Sequence, residues 1–128
     1  MKYTAKIENA DPASLHVLDP EKAKRMNAKT LYIPSVADVR EAINAIPAGK
    51  TKTIVELRKI LAVKGNADTA CPAKVNGYWK WMAFAAEEEG GEPLPWWRVL
   101  KDGKVSRHMP GGVDAHRARL KAEGVTLP

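Results

Sequence analysis

Two helix-start signatures eighteen residues apart, Ser35 with Asp38 and Thr53 with Glu56, constrain this chain more than any other feature. In each, a hydroxyl can accept from the backbone three residues on while the acid there reaches back to the hydroxyl residue's own N–H, which fixes a helix start. After Ser35, Val36, Val39, Ile43 and Ile46 share one helical face until Pro47, so a helix is predicted over 36–46. After Thr53, Ile54, Leu57, Ile60 and Leu61 repeat the pattern up to Gly65, predicting a second over 54–63. Two amphipathic helices so close together must bury their stripes in a shared core.

A third helix is predicted over 76–89, capped by Asn76, striped by Val75, Trp79, Met82 and Ala86, and stopped by Gly90 and Gly91. Its ends carry the unfavourable charges, Lys74 at the positive pole and Glu87 to Glu89 at the negative one. A DNA phosphate at the N-terminus would relieve the first, and plain solvation is the bland account of both. Trp97 to Leu100, then Asp102 and Gly103, then Val105 to Arg107 read as a short hairpin made basic by Arg98, Lys101, Lys104 and Arg107. A closing helix runs over 113–123 with Gly124 as its stop. The first 30 residues are rich in turn formers and offer at best a helical turn over Glu21 to Met26. The expected fold is therefore mainly α with a short β-hairpin, a domain over 35–128 with 1–34 as an arm packed on it.

Composition removes several function classes. At 128 residues the chain has room for one core. No apolar run approaches the length of about 18 residues that spans a membrane, and Met1 to Ala10 lacks the apolar stretch of a secretory signal, so a soluble, cytoplasmic monomer is expected. Cys71 stands alone, which rules out an intramolecular disulfide, and no Cys and His spacing suggests a metal. No metal and no cofactor are expected. The net charge of +6 is unevenly spread. Gly49 to Lys80 holds seven Lys or Arg against two acids, and Leu94 to Pro128 seven against three. Between them, Glu87, Glu88, Glu89 and Glu92 form an acidic knuckle. A polyanion would meet the basic stretches and avoid the knuckle, which points to double-stranded DNA as partner.

Three ordered stretches carry a resemblance: Ile46, Pro47, Gly49, Lys50, Thr53, Glu56 and Leu57; then Pro95, Trp96, Trp97, Arg98 and Val99; then Gly112, Leu120, Glu123 and Gly124. Together they resemble the C-terminal DNA-binding domain of O6-alkylguanine-DNA alkyltransferases and their non-enzymatic alkyltransferase-like relatives, over Ser35 to Val125. The second stretch sits where the family has Pro-Cys-His-Arg-Val. Alkyl transfer there needs a thiolate and an adjacent imidazole, and this chain has Trp96 and Trp97 instead, neither of which can attack carbon or shuttle a proton. Cys71, with no neighbouring His, reads as a small buried hydrophobe rather than a thiol nucleophile. The chain is expected not to be an enzyme.

A Trp at the acceptor position is similar to the alkyltransferase-like branch, whose members extrude alkylated guanine into a pocket and pass the complex to nucleotide excision repair proteins. The resemblance implies a helix-turn-helix domain of winged-helix-like kind and a base pocket of Trp96, Trp97, Val99 and Met109, while the two basic stretches supply the expected DNA contacts, Lys50, Lys52, Thr53, Lys74, Asn76, Arg98, Lys101 and Arg107. Two positions depart from the family pattern: its helix aromatic aligns with Ile54, and its stack-filling arginine has no clear counterpart between Lys74 and Lys80. The alternative is therefore a DNA-binding regulator or architectural module without a lesion pocket. Trp79, on the apolar stripe, is expected in the core, and His16, His108 and His116 on the surface.

Overall fold

The computed structural model of the protein describes residues 2–127. Met1 and Pro128, the outer ends of the two expected segments, lie outside them. The fold is mixed α/β, about half of it helical, with six helices and two small sheets among the described residues. The order is α1 (Lys2–Glu8), β1 (Ser14–Val17), α2 (Pro20–Met26), β2 (Thr30–Ile33), α3 (Val36–Asn44), β3 (Lys52–Thr53), α4 (Ile54–Lys64), β4 (Thr69–Ala70), α5 (Pro72–Ala86), a 3-10 turn (Trp96–Arg98), β5 (Val99–Leu100) and α6 (Gly112–Ala122).

Both capping boxes form. Ser35 Oγ accepts from Asp38 N while an Asp38 carboxylate oxygen accepts from Ser35 N, each at 3.1 Å, and Thr53 and Glu56 repeat the exchange. Boxes of this kind are worth about 1 kcal/mol each and orient α3 and α4 against α5. Their buried residues are Val36, Val39, Ile43, Ile54, Leu57 and Leu61, whereas Ile60 stays largely exposed and is not part of the core stripe.

The third helix starts four residues earlier than predicted. Pro72 opens it, because proline at the first helical position has no N–H to lose and a preset φ, and Cys71 is the cap residue without a side-chain cap bond. Asn76 lies inside the helix, its Nδ2 donating to the Pro72 carbonyl at 2.9 Å. The helix buries two sides: Val75, Trp79 and Met82 face the central core, while α1 covers the flank carrying Trp81 and Phe84. Tyr3 stacks on Phe84 at 4.9 Å, and the Glu88 carboxylate accepts from Tyr3 N and Thr4 N at the start of α1.

The segment expected as an arm holds two helices and two strands. β1 pairs antiparallel with β2, and β2 parallel with β4 in the α4–α5 connection. The predicted hairpin reduces to its turn. Asp102 and Gly103 take φ of 53° and 74°, the two left-handed residues that an Asp-Gly turn requires, and Lys101 and Lys104 exchange both backbone bonds around them. Val99 and Leu100 instead pair in parallel with Lys52 and Thr53, and Trp96–Arg98 coils into the 3-10 turn.

Gly65 lies under the Tyr32 ring, where an added Cβ would sit 2.2 Å from Cγ. Gly65→Ala is therefore expected to destabilise the fold by about 1 to 3 kcal/mol through overpacking. Urea denaturation checks this, with Gly77→Ala as the control because a Cβ there meets nothing within 4 Å.

Candidate nucleic-acid interface

One face of α5 presents Asn76, Gly77 and Lys80, since residues three and four apart in a helix are neighbours. Across from it lies the irregular stretch 101–109. Between them lies an open cavity of about 270 Å³, with Trp79 and Met109 as its buried apolar lining and Lys80, Lys101 and His108 as its exposed rim. This is just below the usual range of about 300 Å³ and above for small-ligand pockets.

The irregular wall is held by His116. That side chain is fully buried, contrary to the expected surface position, because its two ring nitrogens serve backbone groups that the fold brings together from elsewhere in the chain. Nδ1 accepts from Ser106 N at 3.0 Å, so the proton belongs on Nε2, which donates to the Trp97 carbonyl at 2.9 Å. Its ring stands edge-on to Trp96 and Trp79, with centroids 5.5 and 6.3 Å away. Burial pushes the imidazole pKa below its ordinary 6.5.

Asn76 and Lys101, expected as DNA contacts, and Met109, expected in a base pocket, border the cavity. Lys50, Lys52, Lys74 and Arg107, together with Lys80 and Lys104, have no acidic partner within 4 Å among the described residues. Lys52 sits on β3 beside Val99, two residues before Lys101, and Lys74 lies over the Tyr78 ring at 5.5 Å. Thr53 is occupied with the cap of α4.

Four expected site residues are placed otherwise. Arg98 is not a free cation: its guanidinium donates to both Glu123 oxygens, at 2.6 Å to the nearer, and to the Ile46 carbonyl at 2.8 Å. Trp96 is 1% exposed, with Nε1 donating to Glu87 Oε1 and its carbonyl accepting from Trp79 Nε1, and Val99 is equally buried. Neither lines the cavity. Trp97 is half-buried under the Arg119 guanidinium at 4.8 Å, and its buried Nε1 faces the Glu123 carboxylate outside hydrogen-bonding geometry.

Sequence reasoning missed Gly77, Lys80, Ser106 and His108 at the cavity, and Trp79 as its wall. A glycine inside an apolar helix was the available signal, since it marks a place where something approaches closely or space is kept. No group of three or more His, Cys, Asp or Glu side chains among the described residues could hold a metal ion. No described helix is long and apolar enough to cross a membrane. Comparison with protein-family models, with curated proteins and with solved structures yields no match.

The neutral, buried His116 has a definite pH signature. Its folded-state pKa lies below the unfolded 6.5, so the unfolded chain takes up the proton first. The part of the stability that depends on neutral His116 is fully present above pH 6.5 and falls as pH drops below it. Thermal denaturation from pH 7.5 to 5 should show a declining Tm, and the decline should shrink in His116→Gln; a flat wild-type profile would overturn the buried neutral imidazole.

Proposed function

We propose that the chain is a non-catalytic DNA-binding protein of the alkyltransferase-like kind, which holds duplex DNA and takes an extruded base, alkylated guanine for preference, into the cavity between α5 and residues 101–109. The observation that carries this reading is the cavity itself, a slot beside Trp79 and Met109 rimmed by Lys80, Lys101 and His108. In this reading α4 and α5 act as a helix-turn-helix, with α5 entering a groove and the unpaired lysines meeting phosphates. Extrusion costs a few kcal/mol and least for a lesion that already pairs poorly, so an apolar slot can select it without touching the alkyl group. Trp96 then acts as a core residue that sets the position of the wall, not as the stacking platform. The acceptor position offers no thiol, and the reading includes no transfer step. A handover to nucleotide excision repair proteins, in the cytoplasm and from a monomer, completes it.

A second reading, a regulator or architectural module without a lesion pocket, is favoured by the burial of Trp96 and by Ile54 in the core where the resemblance calls for an exposed aromatic.

Matched duplexes with and without O6-methylguanine, titrated at several salt concentrations, separate the two. Log K should fall with log salt by about 0.9 per phosphate contacted, and Lys80→Ala and Lys101→Ala should each lower that slope by about 1 while weakening both duplexes alike. Gly77→Leu projects a side chain into the cavity, where the backbone leaves open space. It should keep the salt slope and lose the preference for the lesion. A preference that survives Gly77→Leu moves the base elsewhere, equal binding of both duplexes by the wild type supports the regulator, and a flat salt response overturns DNA binding altogether. Mass spectrometry after incubation with the methylated duplex should find the chain unmodified, Cys71 included.

A further inference from the structure

The β1 edge carries a feature that DNA binding does not use. In the order β1-β2-β4, β1 is an outer strand, and its second edge has no partner among the described residues. Natural edge strands are usually guarded by a charge, a proline or a bulge. Ser14, Leu15, His16 and Val17 contain no Lys, Arg, Asp, Glu or Pro, and pair with β2 in unbroken register. Leu15 is 54% exposed and Val17 84%, two of the large apolar side chains that the fold leaves in solvent.

The register shows which backbone groups are free. Leu18 N donates to the Lys29 carbonyl at 2.9 Å, which turns the backbone groups of Leu18 and, by alternation, of His16 and Ser14 toward β2. The N–H and C=O of Leu15 and Val17 therefore point to the open edge. Beside them, between α2 and the sheet, lies a second cavity of about 440 Å³ bordered by apolar Leu18, Met26, Leu31 and Ile33 and by Lys22 and Arg25. Neither cation has an acidic partner among the described residues, while Asp19, on the same border, is engaged as the cap of α2.

We infer that β1 is a docking edge for an extended segment of a partner protein that alternates apolar and acidic residues. The backbone of the segment would extend the sheet through Leu15 and Val17, its apolar side chains would cover these two residues on one face, and its carboxylates, alternating to the face that carries the cavity, would meet Lys22 and Arg25. Charge argues against a second copy as the occupant, because a chain of net charge +6 would bring its own Lys22 and Arg25 to the shared edge. The inference does not depend on what the α5 cavity binds.

The test titrates the full ¹⁵N-labelled chain with the capped peptide Asp-Val-Asp-Ile-Glu-Val, followed by amide NMR. Saturable shifts centred on Leu15 to Leu18 and the Lys22 to Arg25 turn are expected, with no saturation by the same peptide carrying Lys in place of each acid. Val17→Pro removes an outward N–H and leaves the β1–β2 ladder intact, since proline is tolerated on the solvent side of an edge strand. It should weaken binding at least tenfold at unchanged Tm. Lys22→Glu with Arg25→Glu, exposed changes outside the core, should do the same and serves if Val17→Pro lowers Tm. Absence of shifts in β1, or equal binding by the lysine peptide, overturns the inference. So does a wild-type dimer in sedimentation equilibrium that Val17→Pro dissociates, which would make a second copy the occupant.

Discussion

The bidentate pair between Arg98 and Glu123 is the contact on which the arrangement of the C-terminal half depends. Arg98 sits in the 3-10 turn and Glu123 caps the end of α6, and the third direction of the guanidinium reaches the Ile46 carbonyl just beyond α3. Both side chains are only 16% exposed. The Arg98 hydrogen bond holds the Glu123 carboxyl below its ordinary pKa, so the pair stays ionised through neutral pH. Removing one member of such a pair typically costs about 3 to 5 kcal/mol, because the remaining charge stays behind in a poor solvent. The next two residues, Val99 and Leu100, then run beside Lys52 and Thr53, which start α4. One side chain thereby sets the closing helix, the end of α3 and the start of α4 relative to one another.

That frame explains why the α5 cavity has a defined wall although residues 101–109 contain almost no regular structure. The chain leaves β5, reverses at Asp102 and Gly103, and is caught at Ser106 by the ring of His116 on α6. Since α6 is anchored at its far end by Glu123, the imidazole is held at both ends, by its helix and by the Trp97 carbonyl. Asn76, Gly77 and Lys80 stand opposite on a helix whose other flank is covered by α1, so both sides of the slot rest on packed elements. Rigid supports of this sort let a site discriminate by shape.

What could be read from the sequence was what short-range chemistry decides. Ser35 with Asp38 and Thr53 with Glu56 satisfy their backbone partners within three residues, and Gly124 ends α6 by bonds from Gly124 N and Val125 N to the preceding turn. The Asp102–Gly103 turn was legible for the same reason. The start of α5 was misassigned because Asn76 looked like the stronger cap, whereas Pro72 fixes the first turn four residues earlier. The strands were missed because they are two to four residues long and paired across distant segments, Lys52 with Val99 and Leu31 with Thr69. Of the proposed site, the basic loop was visible and the cavity was not. Arg98 and Trp96 carried the motif and are internal, and nothing local distinguishes His116, whose partners are backbone atoms 10 and 19 residues away.

The charge pattern also means something different in the fold than in the sequence. The acidic knuckle makes specific contacts although most of it stays exposed: Glu87 accepts from Trp96 Nε1 and pairs with Arg119, Glu88 caps α1, and Glu92 lies 3.5 Å from Arg40. Elsewhere Asp19 and Glu56 cap helices, Asp38 bonds Tyr32 and Lys64, and Asp68 accepts from Lys29 N and Thr30 N. None of these carboxylates pairs within 4 Å with Lys50, Lys52, Lys74, Lys80, Lys101, Lys104 or Arg107 among the described residues. The unpaired Lys50, Lys52, Lys74, Lys80, Lys101, Lys104 and Arg107 therefore leave the basic stretches of the chain with a field stronger than a net charge of +6, evenly spread, would produce. A folded chain that holds its carboxylates in caps and ion pairs while leaving these seven cations unpaired has its affinity for a polyanion set by the architecture as well as by the composition.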